Sequence, residues 1–394
     1  MPDNTIPFHR PSIGQEEFQA VREVLESRWL TTGPVTQQFE REFAAFVGCE
    51  YAVAVNSCTA ALHLALDAAG ITAGDEVLVP SYTFAATAEV VVYLGARPVL
   101  CDSLPGGFNI DPADAARRIT PKTRAIIAVH IAGEPCDLQA LSRLAERHSI
   151  HLIEDAAHAL PASYAGRRIG SISEFTAFSF YATKTITTGE GGMLTTNDQA
   201  YAKRASTMRL HGISGDAWKR YTNHGSWYYE VVDAGFKSNM PDLLAALGLA
   251  QLKKAEAFHQ RRREIADIYL QRLSRIEELE MPPTGNVSTT HSWHLFILRL
   301  RSKMLASSRD DLVHQLKQAG IGTSVHFIPL HLHPYYRNRY GYSSGDFPHA
   351  EDAFARCISL PIYPDMNDTD VERVVTSVEQ FAQRNSRTMH ACAS

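Results

Sequence analysis

Between Tyr51 and Thr196 the chain repeats one pattern, which restricts its fold more than any other feature. Short apolar runs (YAVAV, EVLVP, RPVLCD, RAIIAVH, IHLIED, TAFSFY and GGMLTT) alternate with helix-patterned stretches in TAALHLALDAA, from about Thr83 to Leu94 and from about Asp137 to Arg147. Runs this short and continuously apolar read as strands buried on both faces, and the helices between them supply the crossovers of a mostly parallel sheet. The expected fold is therefore α/β, with a large domain over residues 1–242. After a looser, aromatic and Gly-containing stretch from Gln199 to Met240, one long helix from Leu243 to Leu273 is expected to bridge to a smaller α+β domain over residues 243–383. That unit should hold a strand in SWHLFILRLR, a helix from Ser308 to Ala319, a strand in IGTSVHF and an amphipathic helix after Asn367. Residues 384–394 are expected to form a disordered tail.

Composition narrows the function. The 394 residues carry 38 Lys and Arg against 43 Asp and Glu, a net charge of −5, so no global basic field exists to hold nucleic acid or acidic lipid. Any anionic ligand must be held locally. No window approaches the roughly 18 uninterrupted apolar residues of a membrane helix, and the start, MPDNTIPFHRPSIG, lacks the layout of a signal segment. The six cysteines, Cys49, Cys58, Cys101, Cys136, Cys357 and Cys392, are scattered with no Cys-x-x-Cys pair, which fits a reducing cytoplasm.

The chemistry concentrates in FSFYATKTITTGEGGML, residues 178 to 194, where an apolar strand delivers Lys184 into a Gly-rich turn. At the carboxyl edge of an open α/β sheet, where such folds place ligands, a desolvated lysine loses charge and becomes nucleophilic. Taken alone, an exposed loop lysine is the better reading, because such residues are common; the neighbours change that. Asp155, immediately after the run IHLIE, should occupy the same crevice, although an isolated Asp there also reads as a helix cap. In VAVNSCTAAL a strand runs through Asn56, Ser57, Cys58 and Thr59 into a helix whose free amides and hydroxyls suit a phosphate, or which Ser57 or Thr59 merely caps. Phe84, in PSYTFAATA, offers a flat ring that either fills core or stacks on a flat ligand. A lysine for an imine, a carboxylate for a pyridine nitrogen, an aromatic lid and a phosphate-binding helix start together describe a pyridoxal phosphate site.

On these and other ordered segments the chain resembles the DegT/StrS family of fold-type I, pyridoxal phosphate-dependent nucleotide-sugar aminotransferases. The matching pieces, over about residues 7 to 383, include PFHRPSIG, RWLTTGP, NSCTAALHLAL, PSYTFAATA, EDAAHAL, SFYATKTITTGEGG, GFKSNMPDLLAALGLAQL, VHFIPLH and CISLPIYPDM. The resemblance implies that Lys184 carries the cofactor and moves a proton, that Asp155 keeps the pyridine nitrogen protonated, and that Phe84 stacks on the ring. It implies that Ser179 and Thr59, with the helix-start amides around Cys58, hold the phosphate, and that His158, where many relatives have Gln, contacts the ring hydroxyl; a purely structural His158 stays open. Lys237 and Asn239 are implied to reach the site from the neighbouring subunit of a homodimer with shared active sites, a bland surface loop being the alternative. Arg10, Trp29, Thr31 and His326 are candidates for the substrate pocket, with Arg10, Arg28 and Lys237 as cations for a nucleotide diphosphate.

Two departures from the family pattern matter: Cys58 stands where many relatives have Gly, and Lys237, Ser238 and Asn239 where many read Asn-Tyr-Arg. The Lys-x-Asn variant is similar to enzymes that aminate C4 of the sugar, among them UDP-4-amino-4-deoxy-L-arabinose aminotransferase. The resemblance thus implies amino transfer from L-glutamate, which leaves as 2-oxoglutarate, to a nucleotide-linked keto sugar, with the cofactor passing through its pyridoxamine form. The rivals are a 3-aminotransferase, a dehydratase, against which the intact Lys184 argues, and a non-catalytic sensory protein of the same fold. A metal site at His326, His331 and His333 is rejected, because no carboxylate or cysteine accompanies them at ligand spacing.

Overall fold

In the computed structural model, residues 5–214, 228–285 and 288–387 are described. Nine strands come from the first half of the chain: β1 Tyr51–Val55, β2 Glu76–Pro80, β3 Arg97–Cys101, β4 Thr123–Val129, β5 His151–Asp155, β6 Ser163–Tyr164, β7 Arg167–Arg168, β8 Phe175–Ser179 and β9 Gly192–Thr196. Seven of them form one sheet in the order β1-β9-β8-β5-β4-β2-β3. Strands β3, β2, β4, β5 and β8 are mutually parallel, while β9 runs antiparallel between β8 and β1. The continuous apolar runs are buried on both faces, as for Ile126, Ile127 and Ala128 of β4, because helices cover each side.

Helices α1 Gln15–Ser27 and α2 Pro34–Val47 precede the sheet, followed by α3 Cys58–Ala68, α4 Ala86–Tyr93, α5 Pro112–Arg118, α6 Leu138–His148 and α7 Gln199–Met208. Local sequence explains several boundaries. Asp137 and Ser57 cap α6 and α3 by accepting the backbone N–H three residues on, at 3.0 and 3.1 Å. The cap of α2 comes from a distance: the Asp242 carboxylate accepts from the backbone of Gly33 and Thr36 at 2.8 and 2.9 Å. This ties the N-terminal segment to the middle of the chain.

The expected single helix from Leu243 to Leu273 is instead two, α8 Asp242–Leu252 and α9 Ala255–Leu273. The break at Lys253 and Lys254 lets α8 stay on α1 and α2, where a Cβ on Gly248 would come within 2.7 Å of the Phe39 ring, while α9 turns toward the C-terminal core. That core gathers Ile265, Tyr269, Phe296, Leu298, Ile358, Val374 and Phe381 with Ile6 from the start of the chain. A second sheet carries it, β10 Leu279–Glu280, β12 Phe296–Leu300 and β13 Cys357–Leu360, while β11 Thr289–Thr290 joins β6 and β7 in a third. The remaining helices are α10 Arg309–Gln318, α11 Pro334–Tyr340, α12 Pro348–Arg356 and α13 Asp368–Asn385.

The strand expected in IGTSVHF does not form: Ile321 bridges to Ile6 and Ser324 to Ser359, single pairings with two different partners that cannot extend into a ladder. The segment expected to be disordered from Arg384 is fixed at its start, since α13 runs to Asn385 and the buried Ser386 bridges to Leu305; residues 388–394 lie outside the described residues. Part of the loose stretch before Met240, residues 215–227, lies outside them too. Among the described residues no helix is long and apolar enough to cross a membrane.

Candidate active site

The sheet's carboxyl edge opens into a cavity of about 380 Å³ whose walls include Cys58, Thr59, Thr87, Asp155, His158, Ser179 and Lys184. Adjacent parallel strands deliver the two central groups. Asp155 ends β5, paired with Ala177 of β8, and Lys184 follows β8 in a turn whose backbone closes from Lys184 N–H to the Tyr181 carbonyl at 2.9 Å.

Asp155 is buried, and its oxygens have defined partners. Oδ1 accepts the Ala157 N–H at 3.1 Å and Oδ2 the Thr87 hydroxyl at 2.9 Å, with Cys58 Sγ 3.9 Å from Oδ1. Burial pushes its pKa up, while the Ala157 and Thr87 donors and the Lys184 charge oppose that rise. Lys184 is half-buried and opens onto the cavity. Loss of solvent around its amine brings the pKa down to about 8, against the pull of Cys58 and Asp155. A large share of the amine is therefore neutral in mildly basic water, as a nucleophile and proton carrier requires. The Cys58 thiol is pushed well up, chiefly by burial, so it stays protonated and unreactive.

α3 starts at the same cavity wall with Ser57, Cys58 and Thr59, its Cys58 next to Asp155, and Ser179 at the end of β8 lines the cavity too. A Cβ on Gly192 would approach the backbone of Ser57 and Cys58 to within 2.6 Å, so a glycine there lets β9 press against the helix start. Phe84 presents its ring with 63% exposure at the cavity, 6.1 Å from Phe327. A phenylalanine this exposed at a cavity wall is poorly explained as core packing.

His158 does two things. Its Nδ1 accepts the Ala132 N–H at 3.2 Å, which leaves its proton on Nε2, and its ring stacks on Phe327 at 5.9 Å. Burial holds its pKa well below the usual range. It is thus a neutral donor on the cavity wall. His326 lines the wall as well, with Nδ1 2.9 Å from Ser359 Oγ and a pKa lowered by burial to about 4.

Other expected residues lie elsewhere. Arg10, Arg28, Thr31 and Lys237 are exposed and Trp29 and Asn239 half-buried, and none of the six lines this cavity. Lys237 Nζ donates to Asn239 Oδ1, and Asn239 Nδ2 donates to Thr32 Oγ1 at 2.6 Å. The Trp29 Nε1 donates to the Thr32 carbonyl at 3.3 Å. These residues gather around Thr32 because Asn239 bridges to Val55, the last residue of β1. His331 is held structurally, between Ser81 Oγ at 2.7 Å and Glu351 at 2.9 Å.

Among the wall residues that the sequence reading missed are Thr83, Thr87, His9 and His294. The threonines sit four apart, Thr83 just before α4 and Thr87 in its first turn, a helical spacing visible in TFAAT. His294 and His9 carried no local signal, since each comes from a segment far away in sequence.

A match to the DegT/DnrJ/EryC1/StrS aminotransferase family spans residues 11–379. The chain belongs to this family. A spore coat polysaccharide biosynthesis protein of Bacillus subtilis is 48% identical over 379 residues, covering 96% of this chain and 97% of that protein. Among solved structures, a Streptococcus pneumoniae protein in its PMP-form superposes with a TM-score of 0.90 at 33% identity, over 96% of this chain and 99% of that one. Its PLP-form also matches at 0.90. A sugar aminotransferase of Micromonospora echinospora matches with a TM-score of 0.86 at 28% identity, over 95% and 99% of the two chains.

Proposed function

We propose that the protein is a pyridoxal 5′-phosphate-dependent aminotransferase that moves the amino group of L-glutamate to C4 of a nucleotide-linked 4-keto sugar in aminosugar or polysaccharide biosynthesis. The observation that carries this reading is the joint placement of a partly deprotonated Lys184 and a buried Asp155 in one cavity that the start of α3 also lines. The walls fit the cofactor. The amides and hydroxyls of Ser57, Cys58, Thr59 and Ser179 suit a phosphate, Phe84 supplies a flat face, and His158 supplies a neutral N–H donor for the ring hydroxyl. When bound, the cofactor supplies a carbonyl that condenses with amines and an electron-poor ring that stabilises a carbanion.

The protein's own groups do the rest. Lys184 holds the cofactor and then, as a free amine, carries the proton from carbon to carbon. Asp155 keeps a proton on the ring nitrogen by offering it a negative partner from a buried position. Family membership and the sugar aminotransferase among the structural relatives support a sugar acceptor. The C4 assignment rests on the Lys237-x-Asn239 variant, and a nucleotide handle on the binding it offers for chemistry at the far end of the sugar. We infer a homodimer in which Lys237 or Asn239 of one copy completes the other's site. This is in keeping with their place outside the cavity of their own chain. A cytoplasmic setting accords with the free cysteines among the described residues.

The test is direct. Borohydride reduction of the protein with its cofactor, followed by peptide mapping, should place the tag on Lys184, and a tag on another lysine overturns the reading. Assay of matched 3-keto and 4-keto nucleotide sugars should show preference for the 4-keto compound. Preference for the 3-keto sugar overturns the regiochemistry, and equal turnover of the free sugar overturns the nucleotide requirement.

A further inference from the structure

Asp155 is desolvated, and a buried carboxylate reverts to its neutral form unless donors hold the charge. One oxygen has a backbone donor, Ala157 N–H at 3.1 Å; the other has Thr87 Oγ1 at 2.9 Å, and Thr83 Oγ1 lies 2.9 Å from Thr87 Oγ1. Both threonines are 1% exposed, so water does not replace them. An ionised carboxylate only accepts, and a threonine hydroxyl has one proton to give. The Thr87 proton is therefore committed to Asp155, and Thr83 must donate to the Thr87 oxygen. The chain Thr83 to Thr87 to Asp155 runs in one direction only while Asp155 is charged, and each donor polarises the next.

We propose that Thr87, supported by Thr83, is a positioning residue that keeps Asp155 ionised and aimed at the cofactor's ring nitrogen. The inference rests on the pyridoxal phosphate reading above. Its location adds a second consequence. Thr83 and Thr87 bracket Phe84, and the Thr87 N–H donates to the Phe84 carbonyl at 3.2 Å. The turn that opens α4 therefore fixes both the aromatic face and the carboxylate's partner.

The experiment compares the parent holoenzyme with Thr87→Val, Thr87→Ser and Thr83→Val. It measures melting temperature, affinity for pyridoxal phosphate, the pH titration of bound-cofactor absorbance, and kcat and KM for glutamate. Val keeps the shape of Thr and removes the hydroxyl, both the donor to Asp155 and the acceptor for Thr83. Thr87→Val should fold, lower kcat roughly tenfold with KM changed less than about twofold, weaken cofactor affinity roughly tenfold, and shift the absorbance titration by about one pH unit. Thr87→Ser should recover most of each loss, and Thr83→Val should lose about threefold in kcat. Thr87→Val with parent affinity, titration and kcat overturns the proposal, and so does Thr87→Ser as impaired as Thr87→Val, because the methyl and not the hydroxyl would then matter. Failure of the parent protein itself to take up pyridoxal phosphate overturns the functional reading, and this inference with it.

Discussion

In the proposed mechanism two side chains set the chemistry, and their environments make them unequal. Burial lowers the Lys184 pKa to about 8, so at pH 7 most of the amine is still charged and below reach of a carbonyl. Covalent uptake of pyridoxal phosphate by the apoprotein should therefore speed up by about fivefold between pH 7 and pH 8 and level off above about pH 9. Stopped-flow absorbance across that range checks it; a flat profile contradicts the lowered pKa. Replacing Lys184 with Ala should leave a folded protein that binds the cofactor without turnover. Asp155→Asn should keep covalent attachment, because Lys184 is untouched, yet lose at least about a hundredfold in kcat, because a neutral amide cannot hold the ring proton. Near-parent turnover in that variant would refute the role.

Among the elements, α9 and β9 position the site without forming its walls. Arg262 of α9 is fully buried, and its Nη1 donates to the carbonyls of Trp293, His294 and Ile362 at 3.2, 3.2 and 2.7 Å. Two of those residues, His294 and Ile362, line the cavity. Burial lowers the Arg262 pKa only to about 10, so the guanidinium stays charged at neutral pH and braces the loops before β12 and after β13. Arg262→Leu leaves these carbonyls unpaired and should cost about 3 kcal/mol of stability, read as a lower urea midpoint. An unchanged midpoint would show that the bracing is not needed. Gly192 of β9 has a different job: Gly192→Ala drives a Cβ to within 2.6 Å of the Ser57 and Cys58 backbone, which must move the start of α3. Overpacking of this kind costs about 1–3 kcal/mol. Because the displaced amides are those assigned to the phosphate, cofactor affinity should fall along with melting temperature. A fall in melting temperature alone would separate β9 packing from phosphate binding.

At the scale of the whole molecule, the cavity of a single chain lacks the cations a nucleotide diphosphate needs. Apart from Lys184, no lysine or arginine among the described residues lines it. The proposed source is a second copy, since Asn239 bridges to the end of β1 and Lys237 to Leu210, and neither lines its own chain's cavity. A two-fold dimer would repeat that contribution at both sites. Mixing inactive Lys184→Ala with an inactive variant of residues 237–239 should then restore about a quarter of the parent activity. Half of the randomly mixed dimers are hybrids, and each hybrid has one intact site of two. No recovery after exchange, or an active monomer by light scattering, would contradict the shared site.

The sequence alone determined the α/β class, the strand-end position of Asp155, the turn after β8 that carries Lys184 and the helix start at Cys58, because each depends on residues close together in the chain: continuous apolar strands, caps and turns. The same local logic defined α6 and α10, whose caps Asp137 and Ser308 stand in the sequence. It failed where distant packing decides. The helix break at Lys253 was invisible because α8 and α9 follow one another as good helix formers with no Pro or Gly between them, and only their different docking surfaces separate them. IGTSVHF has a strand's composition but no single neighbour to pair with. Thr87 gave no signal of its own, since a threonine in the first turn of a helix becomes a carboxylate's partner only when β5 brings Asp155 to within hydrogen-bonding reach. His9 and His294 enter the cavity by the same route, from segments joined only in the folded chain. Tertiary structure decided these partners because a hydrogen bond or a cavity wall depends on distance in space, and sequence separation does not report that distance.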